Sequence, residues 1–83
     1  MNYFAYVLRN GASRRYIGVS EDPQVRLLQH NAGVSKWTAQ HGPWSLVWTS
    51  RPLTLGDARR LENTLKRQKG GSGLETLLRT FGS

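Results

Sequence analysis

The stretch Arg14–Asn31, "RRYIGVSEDPQVRLLQHN", decides the architecture. Its first half, Tyr16-Ile17-Gly18-Val19, is β-branched and aromatic, which suits a strand. Asp22-Pro23 then supplies a helix N-cap followed by a first-turn proline. A helix over Pro23–Asn31 is expected, with Arg26 and His30 one turn apart on one stripe and Val25, Leu28 and Ala32 on another. A strand running into a capped helix therefore lies near the start of the chain.

Working outward, Asn2–Asn10 ("NYFAYVLRN") alternates Tyr3, Ala5 and Val7 with Phe4, Tyr6 and Leu8. Both sets are largely apolar, so this strand should be central and covered on both sides. Asn10-Gly11 is turn chemistry, making a hairpin with the strand at Tyr16. "AGVSKWTAQHGPW" reads as a loop, broken by Gly33, Gly42 and Pro43. "WSLVWTS" is a third strand, with Trp44, Leu46 and Trp48 alternating against Ser45, Val47 and Thr49. Thr54 caps a long helix reaching about Lys69, with Asp57 in capping-box spacing. Ser72 and Glu75 form a second capping box for a short terminal helix, "LETLLRTF". The expectation is one α/β domain of α+β type over residues 1–83: a three-stranded, mainly antiparallel sheet flanked by helices, in the order β-β-α-β-α-α.

The chain has 83 residues, no cysteine, and a net charge of +7 from 12 Lys+Arg against 5 Asp+Glu. Disulfide frameworks and thiolate metal sites are excluded. No apolar run approaches membrane-spanning length, and "MNYFAYVLRNG" lacks the basic segment and cleavage site of a leader, so a cytoplasmic location without membrane contact is expected. The charge favours a polyanionic partner such as nucleic acid. Basic residues are scattered among aromatics, which suits a folded surface.

One residue does not fit its face. The long helix carries an apolar stripe at Leu55, Ala58, Leu61 and Leu65, and Glu62 falls inside it. A carboxylate among leucines is costly unless a charge, donors or a metal compensate it. A lone glutamate on a helix is ordinarily a rim residue paired with an arginine. A magnesium-type cation, however, asks the protein for only one or two carboxylates. Arg26 and His30, each unremarkable alone, together offer a phosphate clamp and a proton-transfer group. Tyr3, Tyr6 and Tyr16 read first as sheet or core aromatics.

With these residues in place the chain resembles the GIY-YIG nucleases, in particular their small single-domain members, from about Tyr3 to Lys69. Tyr16-Ile17-Gly18 stands verbatim as the second signature element. Phe4-Ala5-Tyr6 stands where Gly-Ile-Tyr is expected and keeps the tyrosine. The family's helix arginine, following histidine and late glutamate fall on Arg26, His30 and Glu62. The resemblance implies endonucleolytic hydrolysis of nucleic-acid phosphodiesters, DNA foremost, in DNA repair or processing, with one divalent metal ion, Mg²⁺ or Mn²⁺. It implies catalytic roles for Tyr6, Tyr16, Arg26, His30 and Glu62, with Glu62 the metal ligand, Arg26 on the scissile phosphate, Tyr6 preferred over Tyr16 as the base, and His30 relaying protons or positioning Tyr6. Arg15, Lys36 and Lys66 are candidates for phosphate contact and Trp37 for base stacking; as ordinary residues they are solvated charges and a loop tryptophan covering the core. Two other readings stand beside the enzyme: a non-catalytic nucleic-acid-binding module, and a nuclease subunit that needs a protein partner to cut.

Overall fold

The computed structural model of the chain describes residues 2–33 and 36–68. Strand β1 (Phe4–Asn10) pairs antiparallel with β2 (Arg15–Ser20) and with β3 (Trp44–Thr49), giving a three-stranded sheet in the order β2-β1-β3. The central position of β1 follows from its two apolar faces. Ala5 and Val7 join Ile17 and Leu65 in one buried cluster, and Tyr6 and Leu8 join Trp44 in another on the opposite face. The hairpin turn is organised by the Asn10 side chain, whose Oδ1 accepts from Ala12 N at 3.0 Å and Arg14 N at 2.8 Å.

Helix α1 (Pro23–Asn31) begins as the sequence dictates: Asp22 Oδ1 accepts from the backbone N–H of Gln24 and Val25, with Pro23 in the first turn. Its inward face is a different one from its apolar stripe. Pro23 and His30 are buried and Leu27 packs on the Tyr6–Leu8–Trp44 cluster, while Val25 and Leu28 are exposed. The segment expected as a loop contains a six-residue helix, α2 (Lys36–His41), so the described order is β-β-α-α-β-α. Six residues make no stable helix by themselves. Tertiary bonds hold this one: Trp44 Nε1 donates to the Thr38 carbonyl at 2.8 Å, and Asn10 Nδ2 donates to the His41 carbonyl at 2.8 Å. Helix α3 (Leu55–Arg67) starts at Thr54, whose Oγ1 accepts from Asp57 N at 3.2 Å, and lays Ala58, Leu61 and Leu65 on the sheet. The expected terminal helix beyond Ser72, and Lys69 itself, lie outside the described residues.

Strand β3 corrects a second expectation. Its alternation puts Trp44, Leu46 and Trp48 on one face, but the pairing with β1 slips between Val7 and Leu8: Val7 faces Trp48, whereas Leu8 faces Leu46. Val47 is the extra residue of a bulge, and one extra residue reverses every side chain beyond it. Trp48 therefore packs beside Val7 and Leu65, and Trp44 and Leu46 pack beside Tyr6 and Leu8. No helix among the described residues is long and apolar enough to cross a membrane.

Candidate active site

The outer edge of β2 opens onto a cleft of about 400 Å³, walled by Arg26 on one side, Leu55, Arg59 and Glu62 on the other, and Tyr3, Tyr6, Tyr16, Gly18 and Val19 from the sheet. Two periodicities build it. Tyr16 and Gly18 project from β2 to the face that α1 covers, opposite Leu8 and Tyr6 of β1. On α3, Leu55, Arg59 and Glu62 follow one another at four and three residues, so they share the side of the helix turned to the cleft.

Gly18 is what lets Tyr6 lie here. A Cβ at Gly18 would stand 2.6 Å from the Tyr6 hydroxyl oxygen and 2.7 Å from its ring carbon Cζ, closer than any side chain can sit. The phenol thus crosses the edge strand through the space of a missing side chain. Its hydroxyl is 3.2 Å from His30 Nε2, and the other ring nitrogen, Nδ1, is 3.1 Å from Thr38 Oγ1. Both His30 and Thr38 are buried, His30 with 2% of its surface exposed. The row Tyr6–His30–Thr38 runs from the cleft into the interior, where the Thr38 carbonyl receives the Trp44 indole. Tyr16 lies over the His30 ring at 4.6 Å between centroids.

Burial dominates the electrostatics of this row. It raises the Tyr6 pKa above 10.0, with the neighbouring Tyr16 and Glu62 adding to the rise; Arg26 acts against it by hydrogen bonding to the phenol and by its charge. Burial, and then the charge of Arg26, lower the His30 pKa below 6.5. At neutral pH the phenol is protonated and the imidazole is neutral, so the pair can share one hydrogen bond without either carrying charge. Tyr3, at the cleft's far end, is raised by its hydrogen bond to Glu21 and by that carboxylate's charge.

Glu62 is neither a core residue nor a free rim residue. Its side chain keeps 19% of its surface exposed, lines the cleft, and lies 3.1 Å from Lys66 Nζ one turn on. Arg26 is half-buried; its Nη1 donates to Gln29 Oε1 at 2.8 Å. Tyr6, Tyr16, Arg26 and Glu62 all line the one cleft, and His30 stands directly behind Tyr6. Of the residues read as nucleic-acid contacts, Lys66 pairs with Glu62, and Trp37 and Lys66 share with Tyr16 and Ile17 a separate groove alongside. Arg15, half-buried on β2, and Lys36, exposed at the start of α2, do not line the cleft.

Sequence reading missed Thr38 and Arg59. Thr38 gave no signal, because nothing local distinguishes it from a loop residue. Arg59 could have been found, since it lies three residues before Glu62 and hence on its face.

A family model described as the GIY-YIG catalytic domain matches residues 2–74. Curated relatives are described as UPF0213 proteins. One from Aeromonas hydrophila is 38% identical over 68 residues, covering 81% of this chain and 50% of its own. One from Aeromonas salmonicida is 42% identical over 64 residues, 76% of this chain and 47% of its own. One from Nitratidesulfovibrio vulgaris is 33% identical over 67 residues, 80% of this chain and 61% of its own. The aligned part of the chain thus spans about half the length of the Aeromonas relatives and somewhat more of the third. No solved structure matches.

Proposed function

Because this chain belongs to the GIY-YIG family, we propose that it is a divalent-metal-dependent endonuclease that hydrolyses DNA phosphodiester bonds, with DNA repair or processing as its setting. The observation that carries the reading is the convergence of Tyr6, Arg26 and Glu62 on one cleft, with His30 behind the tyrosine.

The donor set suits a hard cation of the magnesium or manganese type. Among the described residues no three His, Asp or Glu side chains cluster to enclose a metal. Glu62 offers one carboxylate on the wall of an open cleft, and such ions keep most of their shell for water and phosphate oxygens. Glu62 would hold the ion; when bound, it supplies Lewis-acid polarisation of the phosphate and stabilises the departing oxygen.

The remaining chemistry belongs to the chain. Arg26 presents its guanidinium to the non-bridging oxygens of the scissile phosphate and offsets the charge that builds there. Tyr6, protonated at neutral pH, is a poor base if it must ionise first. Its hydroxyl instead takes a proton from the attacking water as it passes its own to His30 Nε2. The water's O–H bond breaks as its P–O bond forms. The P–O bond to the departing oxygen breaks with its electron pair leaving on that oxygen, which takes a proton from solvent, and the imidazole ends with the proton relayed from the water. The lowered basicity of His30 keeps the imidazole neutral at pH 7, and in the tautomer whose Nδ1–H donates to Thr38 Oγ1, Nε2 is the nitrogen that accepts. Tyr16 covers the imidazole and fixes the cleft's edge.

The test incubates wild type and Glu62→Ala with single-stranded, duplex and branched DNA, with and without Mg²⁺. Wild type should cut only with Mg²⁺, and Glu62→Ala should bind without cutting. If neither protein cuts any form while both bind equally, the chain is a binding module. Cutting that appears only on adding a protein partner makes it a subunit.

A further inference from the structure

Beside the cleft runs a second hollow, a groove of about 420 Å³ lined by Tyr16, Ile17, Trp37 and Lys66. It touches the cleft at two places. Tyr16 lines both hollows, and Lys66 in the groove is paired at 3.1 Å with Glu62 in the cleft. The two hollows therefore adjoin at Tyr16 and at the Glu62–Lys66 pair.

We propose that this groove is a subsite for an unpaired nucleobase next to the scissile phosphate, so that the enzyme selects DNA that is single-stranded at the cut. The inference rests on the cleft being where the strand is cut. Three observations carry it. Trp37 is 41% exposed yet held in place, its ring against His41 at 4.5 Å, Trp44 at 5.8 Å and Tyr16 at 6.4 Å. An indole fixed in this way offers a stacking face at little cost in side-chain entropy. Lys66 places a cation on the same wall, and the chain as a whole carries +7, so the groove suits an anionic strand. A fixed aromatic face with a cation is the chemistry that binds single strands by base stacking and backbone attraction. In a duplex each base is already stacked between its neighbours and unavailable to Trp37; only an unpaired or displaced base reaches it.

The experiment measures binding by fluorescence anisotropy in EDTA, where no cleavage can occur, using labelled single-stranded and duplex oligonucleotides of equal length and a single strand carrying scattered abasic positions. Wild type should bind the intact single strand at least several-fold tighter than the abasic one. Trp37→Ala should weaken single-strand binding on the order of tenfold, the range of one lost base–aromatic stack, and leave duplex binding nearly unchanged. Trp37→Phe should recover most of the affinity. Equal binding of intact and abasic strands by wild type overturns the subsite, even if Trp37→Ala fails to fold. So does an equal loss for single strand and duplex in Trp37→Ala. Self-association of wild type that Trp37→Ala abolishes assigns the groove to a second copy of the chain and also overturns it. The two readings fail separately: stacking without any Mg²⁺-dependent cutting discards the nuclease, and with it the selection of the cut, and leaves the groove as a base-stacking site alone; cutting indifferent to Trp37 keeps the nuclease and overturns the subsite.

Discussion

The Tyr6 hydroxyl occupies the place where Gly18 would carry a side chain, 2.6 Å from the position of its missing Cβ. Gly18→Ala should therefore act on a residue of the neighbouring strand. Either the phenol moves off His30 or the strands part, and overpacking of this kind costs about 1–3 kcal/mol. Thermal melts should show that loss, and activity should fall far more than the folded fraction does. A fully active, equally stable Gly18→Ala would mean Tyr6 has room that the structure denies it.

In the proposed reaction the raised phenol and the lowered imidazole would set the pH dependence. If the proton passes through the Tyr6–His30 bond, the rate needs His30 neutral and Tyr6 protonated. It should hold level from about pH 7 to pH 9 and fall on the acid side, below the ordinary histidine pKa of 6.5. A preformed phenolate would instead give a rate climbing about tenfold per pH unit across that range. Tyr6→Phe should lose roughly 10²–10⁴-fold in kcat, the usual worth of a positioned proton-transfer group.

His30 also ties stability to pH. Its folded pKa lies below the unfolded value of 6.5, so below about pH 6.5 the unfolded chain takes up a proton that the folded chain does not. The stabilisation is complete above that pH and drains away as pH falls through 6.5 towards the folded pKa. Urea titrations at a series of pH values should show this decline in wild type and a shallower one in His30→Gln. Identical slopes would show that His30 is not held neutral by the fold.

Glu62 and Lys66 form an ion pair whose lysine is half exposed, so the pair adds little stability. Removing the lysine should nevertheless free the carboxylate. Lys66→Ala is expected to bind Mn²⁺ several-fold tighter by calorimetry, with a melting temperature within a few degrees of wild type. Glu62→Gln should bind no Mn²⁺ at the same site. Unaltered Mn²⁺ binding in Glu62→Gln would move the ion elsewhere.

Asn31 clamps the end of α1 to the start of β3, with Oδ1 accepting from Trp44 N at 2.7 Å and Nδ2 donating to Trp44 O at 3.0 Å. Asn31→Ala leaves both backbone groups without these partners and should cost about 1–2 kcal/mol. A domain of this size then melts roughly 5–15 °C lower.

Much of this architecture was legible in the residues. The two apolar faces of Phe4–Asn10 placed that strand in the middle, and Asp22-Pro23 and Thr54 marked helix starts that the backbone bonds confirm. These are local properties: strand alternation, capping and turn chemistry act within a few residues and are written in order along the chain. Glu62 drew notice for the same reason, as a carboxylate among leucines at helical spacing.

What the residues did not state depended on partners far away in sequence. The face that α1 buries was set by a polar row, Tyr6–His30–Thr38, and not by its apolar stripe of Val25 and Leu28. Helix α2 exists because Asn10 and Trp44 bond to it, and Trp48 changed sides because of one unpaired residue in β3. Periodicity ranks the faces of an element by hydrophobicity alone. The fold chooses among them by which hydrogen bonds can be satisfied once the interior is closed to water, and only packed tertiary structure fixes that.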